Sequence, residues 1–352
     1  MAPVDKRMEH VEIFGGQDPF MSLKGELNEA LSLYWSTAAQ ILQGSGISVL
    51  EPPPEYFSLK RNFFSALFMY SYFRAGIPKP RRILYAAINQ CLRGMVTGCD
   101  NILDDEYKKT LDTDLPEQGI RFRSILDIMV SDRVLFSILY KSCQNNGLTP
   151  EQVLAASSES LRALAGSGAQ EASEENGVAD RLPPEKVLEY VHHYKTAMLF
   201  QCPWAVPKII EKLETEDMSM LKGALYQIGM GCQLLDDMVD LSMDLRMNRH
   251  NYIASLIVYG TNLKDRNSIE TRSISNQGPE DNPDLLLDFP DAMRFAGAKA
   301  LSYLKNGVGT LFADQHQYMV APSIAFIAKQ IGADRFLLNN EGYDPDASWI
   351  LG

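Results

Sequence analysis

The sequence predicts an all-α fold, with roughly ten helices in one domain spanning residues 1–352. Two observations carry that expectation. Apolar residues recur at helical spacing along most of the chain, whereas β-branched runs with strict alternation are scarce. No internal repeat and no glycine-rich phosphate loop breaks the pattern. The 352 residues suffice for one large helical domain or two smaller ones, and 45% apolar content is ample for a core.

The first helix is expected over Ser22–Leu42, where Leu27, Leu31, Tyr34 and Ala38 share one face. Pro52, Pro53 and Pro54 then break the chain. A second helix starts near Ser58, carries Phe63, Phe64, Leu67, Phe68 and Tyr72, and stops at Gly76–Pro78. Arg82 to Lys109 reads as one long helix. Further helices are expected over Gln118–Asn145, Thr149–Leu164, Pro184–Phe200, Trp204–Glu214 and Ser219–Met247, with Asp291–Asn306 and Gln317–Phe336 closing the fold. The polar stretches 166–183 and 261–284 read as mobile connections, and both termini as irregular tails.

Composition narrows the function. A formal net charge of −12 argues against a general nucleic-acid or anionic-membrane binder. The start, MAPVDKRMEHVE, has no apolar core, and no apolar run approaches the roughly 18 residues of a membrane span. A cytoplasmic protein is the expectation. Five cysteines, Cys91, Cys99, Cys143, Cys202 and Cys232, lack CxxC spacing and read as reduced, mostly packed thiols. No zinc site is expected.

Chemistry concentrates in two acidic clusters. Asp236, Asp237 and Asp240 have the spacing DDxxD, and Asp244 follows one turn later. On a helix, Asp236, Asp240 and Asp244 form a ridge of like charges, unfavourable without a cation between them. Their neighbours Leu234, Leu235, Met238, Val239, Leu241 and Met243 are too apolar for a solvated face. The second cluster, Asp100, Asn101, Asp104, Asp105 and Glu106, ends the long helix, where carboxylates oppose the macrodipole. If the clusters face one another across a helical bundle, they can hold several Mg²⁺ ions and clamp a diphosphate, whose oxygens complete octahedral shells. Lys195, Arg246 and Arg249 are cations available to the same anion.

These motifs resemble the trans-isoprenyl diphosphate synthases, or polyprenyl synthetases, and the class I terpene synthases built on the same scaffold. CQLLDDMVD, from Cys232 to Asp240, is similar to that family's FQxxDDxxD. Lys195-Thr196 with AMLF resembles its KT element, and Gly168-Ala-Gln170 its small-residue-plus-Gln step. The stretch Ala86–Asp104 aligns with its first aspartate-rich helix, so DNILD stands where DDxxD is expected. The similarity spans about Leu59 to Phe336. It implies an isoprenoid-synthase-type bundle around a deep central cavity, working as a homodimer. It also implies three Mg²⁺ ions held by Asp100, Asn101, Asp104, Asp105, Asp236, Asp237, Asp240 and Asp244. An allylic prenyl diphosphate would ionise there with help from Lys195, Arg246 and Arg249. Met95, Val96, Cys99, Thr196, Phe200, Gln170 and Gln233 would line its pocket, with Gly94 and Gly98 leaving room. In that family, bulk just before the first aspartate limits chain length; Met95 and Val96 are intermediate, which admits C15 or longer chains.

Departures from the family pattern bear on the second substrate, isopentenyl diphosphate. Asn101 replaces an aspartate, bringing an amide oxygen without charge. Asn248-Arg249 stands in place of a Gly-Lys element. In the acceptor site Lys60 is retained beside Arg61, Phe63 replaces an arginine, Arg93 stands at a histidine position, and Lys108, Lys109 and Thr110 replace paired arginines. Lysine or Phe recognises a planar diphosphate less well than an arginine fork. The balance favours a terpene cyclase. The alternatives are a chain-elongating prenyltransferase using Lys60, Arg61, Arg93 and Lys109, and a catalytically weak prenyl-diphosphate-binding partner subunit. Among other residues near the motifs, His192 and His193 read as exposed, Tyr194 and Tyr226 as core, and His250 as a phosphate hydrogen-bond donor.

Overall fold

A computed structural model describes residues 19–145, 147–211, 216–274, 282 and 284–347. Among them every regular element is helical, apart from one isolated bridge between Val49 and Thr113. The all-α expectation holds. The chain divides into two compact units, the first running to Ser160 and taking in residues 205–213, the second comprising the rest.

In the first unit, α1 (Pro19–Leu42) buries Leu23, Leu27, Leu31, Tyr34 and Ala38, the expected face. Then come a 3₁₀ turn at Pro54–Phe57, α2 (Phe63–Arg74), α3 (Lys79–Leu103) and α4 (Ile120–Gln144). Glu26 of α1 is gripped by the Arg82 guanidinium of α3, with Nε 2.8 Å from Oε2, and Arg82 also donates to the Ile77 carbonyl at 2.6 Å. That fork fixes the start of α3. Farther along, a Cβ on Gly94 would lie 2.1 Å from Ser131 Oγ, and one on Gly98 2.8 Å from the Ser124 carbonyl. These glycines let α3 and α4 cross closely. They do not open a substrate pocket, as the sequence reading had them do.

The long helix expected to reach Lys109 stops at Leu103, with Asp104 as its C-cap and Asp105 in the left-handed region at φ +52°. Successive carboxylates beyond that point would add charge to the negative helix end.

Helix α5 (Pro150–Glu174) is continuous across the division between the units. The expected mobile connection 166–183 is therefore helical up to Glu174. Its small residues serve close packing: a Cβ on Gly166 would lie 3.7 Å from the Tyr194 ring, and Ser167 donates to the Lys195 carbonyl at 2.9 Å. The helix expected over Pro184–Phe200 is in fact composite. One α turn, α6 (Pro184–Lys186), continues as a π-helix over Val187–Ala197 and a 3₁₀ segment at Leu199–Trp204. The chain then returns to the first unit as α7 (Ala205–Glu211), where Glu211 accepts a hydrogen bond from Tyr85.

The second unit resumes with α8 (Glu216–Val239) and α9 (Leu241–Arg246), two helices where one was expected. Next are α10 (Tyr252–Tyr259), α11 (Leu263–Ile274), a 3₁₀ turn at Leu285–Asp288, α12 (Pro290–Leu311), a 3₁₀ segment at Asp314–Met319, α13 (Val320–Ile331) and α14 (Asp334–Leu337). Helix α11 replaces half of the second expected mobile stretch, 261–284; positions 275–281 and 283 lie outside the described residues. Helices α8 and α12 pack tightly, because Gly231 meets Leu304 and Gly307 meets the Ala224 carbonyl. The C-terminal tail expected to be irregular from Gly342 is a turn and a short 3₁₀ segment as far as Ala347; residues 1–18 and 348–352 lie outside the described residues.

No described helix is long and apolar enough to cross a membrane. All five cysteines are free thiols, with Cys91, Cys202 and Cys232 buried.

Candidate functional site

In the second unit the π-helix and α8 meet in a ladder with a four-residue step. His192 Nε2 stands 2.9 Å from Asp237 Oδ2, the Thr196 hydroxyl donates to Gln233 Oε1, and Phe200 packs on Gly229. His192 and Thr196 of the π-helix, and Phe200 of the 3₁₀ segment that follows it, thus meet α8 at four-residue intervals. The expectation that His192 is exposed is wrong, because it is 1% accessible. Its neighbour His193 bonds the Tyr226 hydroxyl at 2.9 Å.

The ladder fixes the DDxxD motif. The Asp237 carboxylate accepts from His192, from the Tyr252 amide at 2.6 Å and from Gln233 Nε2 at 3.0 Å. Burial pushes this carboxyl up, but His192, Tyr252 and Gln233 outweigh burial and hold it below the usual range. Asp237 is thus committed to internal partners.

Asp236 and Asp240 are half-buried, and their backbones keep the helical bond, Asp240 N to Asp236 O at 2.8 Å, across the break between α8 and α9. The expected ridge is shorter than three residues. Asp244 is buried and accepts from Asn251 Nδ2 at 2.8 Å; burial and then the Asp237 charge raise its carboxyl well above the usual range. Asn251, wholly buried, also donates to the Asp237 carbonyl and caps α10 by accepting from Ile253 and Ala254.

Lys195 stands 3.4 Å from Glu171. Burial alone would lower its ammonium, but Glu171, Asp244, Asp236 and Asp237 hold it above the usual lysine range, so it is a fixed cation. Gln170 donates to Glu174 at 2.7 Å, and Glu174 accepts the His250 amide at 2.8 Å, so His250 meets the site through its backbone. Asn248, at φ +51°, exchanges hydrogen bonds with the backbone of Val178. Asparagine tolerates that left-handed conformation, which accounts for its standing where glycine is usual. Arg246 is exposed at the end of α9. Arg181, which sequence reasoning missed, donates to the Arg249 carbonyl at 3.3 Å and is attracted by Asp244. It lay in the stretch read as mobile, and its partner is 68 residues away.

In the first unit Asp100 occupies the last turn of α3, and the Asp104 amide donates to its carbonyl at 2.9 Å. Asp105 is exposed and pairs with Arg121 at 3.5 Å. Asn101 is buried: its Oδ1 accepts the Lys108 amide at 2.8 Å and its Nδ2 donates to the Lys108 carbonyl at 3.1 Å. The amide oxygen that sequence reasoning offered to a metal therefore already holds a backbone N–H, and the amide nitrogen a backbone carbonyl.

The basic residues come together. Arg61 donates to the Lys109 carbonyl at 2.9 Å and lies over the Tyr56 ring, while Arg93 reaches Asn62 Oδ1 at 3.2 Å and the Arg61 carbonyl at 3.5 Å. The Lys109 ammonium pairs with Asp112 at 3.0 Å, and Lys60 is exposed beside Arg61. Of the expected pocket residues here, Met95 is buried, Val96 half-buried and Cys99 exposed.

Among the described residues, no three His, Cys, Asp or Glu side chains form a ready-made metal cage. Mg²⁺ does not require one, since it commonly takes one or two carboxylates and fills its shell with phosphate oxygens and water. In ligand type Asp100 and Asp104 of the first unit fit that demand, and so, separately, do Asp236 and Asp240 of the second.

A model of the Polyprenyl synthetase family matches residues 122–251, from α4 through the DDxxD motif; the first acidic cluster lies ahead of the match. No curated protein matches the chain. A decaprenyl diphosphate synthase from Rhodobacter capsulatus is similar in structure, with TM-score 0.60 and 14% identity over 89% of this chain and 99% of that one. A polyprenyl synthase from Roseobacter denitrificans gives TM-score 0.58 and 16% identity over 90% and 100%. A geranylgeranyl pyrophosphate synthetase from the archaeon Geoglobus acetivorans gives 0.52 and 14% over 89% and 99%. The chain has the fold of these trans-prenyl diphosphate synthases, and its residues 122–251 match the polyprenyl synthetase family that its motifs resemble.

Proposed function

We propose that the chain is a Mg²⁺-dependent trans-prenyltransferase that lengthens an allylic diphosphate, of C15 or more, by condensation with isopentenyl diphosphate. The observation that carries this reading is that Arg93 reaches the Arg61 carbonyl and Arg61 the Lys109 carbonyl, which sets three basic residues side by side in the first unit. A cyclase has no use for a second diphosphate site. The preference for a cyclase, drawn from the departures at Phe63, Arg93 and Lys108–Thr110, gives way on that ground. The similar structures point the same way, being named as chain-forming synthases.

Asp100 and Asp104 at the end of α3, and Asp236 and Asp240 at the end of α8, are the carboxylates this reading gives to Mg²⁺. The metal, when bound, would neutralise the diphosphate and favour its departure. Lys195 keeps its proton at any physiological pH and offers the same anion a fixed positive charge. The Gln233–Thr196 pair steadies the helix that carries Asp236. Arg61 and Arg93 would orient the acceptor diphosphate by charge-assisted hydrogen bonds.

A homodimer belongs to the proposal. Phe122, Ile125, Met129, Phe136 and Tyr140 form an exposed apolar stripe along α4, a face suited to a second copy. Sedimentation at micromolar concentration checks this, and a monomer would count against it.

The deciding assay supplies geranyl, farnesyl and geranylgeranyl diphosphates with Mg²⁺, each with and without isopentenyl diphosphate. Longer diphosphates formed only when isopentenyl diphosphate is present are expected. Hydrocarbons or alcohols formed without it would establish a cyclase instead.

A further inference from the structure

Asn101 stands where the resembling family carries the second aspartate of its first motif. The surroundings show what the amide does there. Its Oδ1 accepts the Lys108 amide and its Nδ2 donates to the Lys108 carbonyl, while its own carbonyl accepts the Glu106 amide at 3.2 Å. One residue thus closes the turn from Asp104 to Lys108, which includes the left-handed Asp105. An aspartate has no proton for the Lys108 carbonyl and would set two acceptors against each other. Turning Asn101 outward toward a metal would strip two backbone groups of their partner.

The clasp continues into the basic group. Lys109, next to the held residue, gives its carbonyl to Arg61, and the Arg61 carbonyl in turn faces Arg93. We propose that Asn101 is a positioning residue for the acceptor-diphosphate cations Lys109, Arg61 and Arg93, and not a metal ligand. The proposal rests on the prenyltransferase reading for its kinetic consequence, though not for the clasp itself. The first motif then offers Asp100 and Asp104 as its metal carboxylates, and asparagine is there because the loop requires a donor and an acceptor side by side.

Hydrogen exchange over residues 104–110 of the intact, unliganded protein reads the clasp. Asn101→Asp, nearly isosteric, and Asn101→Ala are both expected to exchange about tenfold faster there than wild type, with thermal unfolding confirming that each remains folded. In turnover both should raise KM for isopentenyl diphosphate about tenfold while leaving the half-saturating Mg²⁺ concentration unchanged. Unaltered exchange over 104–110 in both variants would overturn the proposal. So would an Asn101→Asp protein that needs less Mg²⁺ and keeps its KM for isopentenyl diphosphate. If wild type consumes no isopentenyl diphosphate, the prenyltransferase reading fails, and the exchange result still decides whether Asn101 holds the loop.

Discussion

His192 Nε2 lies 2.9 Å from Asp237 Oδ2, with both side chains almost wholly removed from solvent. A buried carboxylate must be fully hydrogen-bonded, and here the π-helix supplies one of its three donors. Replacing His192 by Ala should therefore destabilise the protein by about 2 kcal/mol, the usual loss when a buried acceptor is left without one of its donors. Thr196→Val, which deletes a single hydrogen bond to Gln233, should cost about 1 kcal/mol. Urea unfolding of both variants checks the ranking. A His192→Ala protein within 0.5 kcal/mol of wild type, on the usual scale of surface changes, would show that the pair does not anchor the motif.

Asp236 and Asp240 differ from Asp237 in being half-buried at the end of α8. Asp236→Ala and Asp240→Ala should each abolish turnover yet shift unfolding by no more than about 1 kcal/mol. EDTA should stop the wild-type reaction and excess Mg²⁺ restore it. Near-normal rates in either variant, or turnover in EDTA, would remove the metal role.

Much of this was readable from the chain alone. The helical class followed from apolar spacing, the DDxxD motif and Lys195 from residue type and separation, and the basic residues Arg61 and Arg93 from the family resemblance alone. What escaped depends on contacts across the fold. His192 meets Asp237 at a separation of 45 residues, and Arg181 meets Arg249 at 68, so no local pattern announces either. Gly94 and Gly98 look like vacant space in a sequence, whereas they are crossing points between helices. Gly166 and Ser167 resembled a flexible linker for the same reason: small residues permit motion or close approach, and only the partner decides which. Asn101 was the subtlest case, since its two atoms are spoken for by backbone that carries no side-chain signal.

Arg93 and Arg61 give a kinetic prediction. If they grip the acceptor, Arg93→Ala and Arg61→Ala should raise KM for isopentenyl diphosphate about 10- to 100-fold, as expected for losing a hydrogen bond to a charged group. KM for the allylic diphosphate should stay within about twofold. Steady-state rates with each substrate varied in turn separate the two. Equal rises in both constants would point to a general disturbance of the first unit rather than to acceptor recognition.

Asp127 yields a pH prediction. It is buried on α4, and burial raises its carboxyl to about 7 against the opposing pull of Thr110 and Arg123. In the unfolded chain the same group titrates near 3.9. Between those values the folded state holds a proton that the unfolded state has released. Stability from this group is therefore greatest at low pH, falls as pH rises through the window, and reaches its minimum above 7. Asp127→Asn abolishes the ionisation. It should raise Tm by about 3 °C at pH 8, a gain that shrinks steadily toward pH 5. Thermal unfolding of variant and wild type across pH 5–8 measures that difference, and a gain that stayed constant across the range would show that the Asp127 carboxyl does not titrate within it.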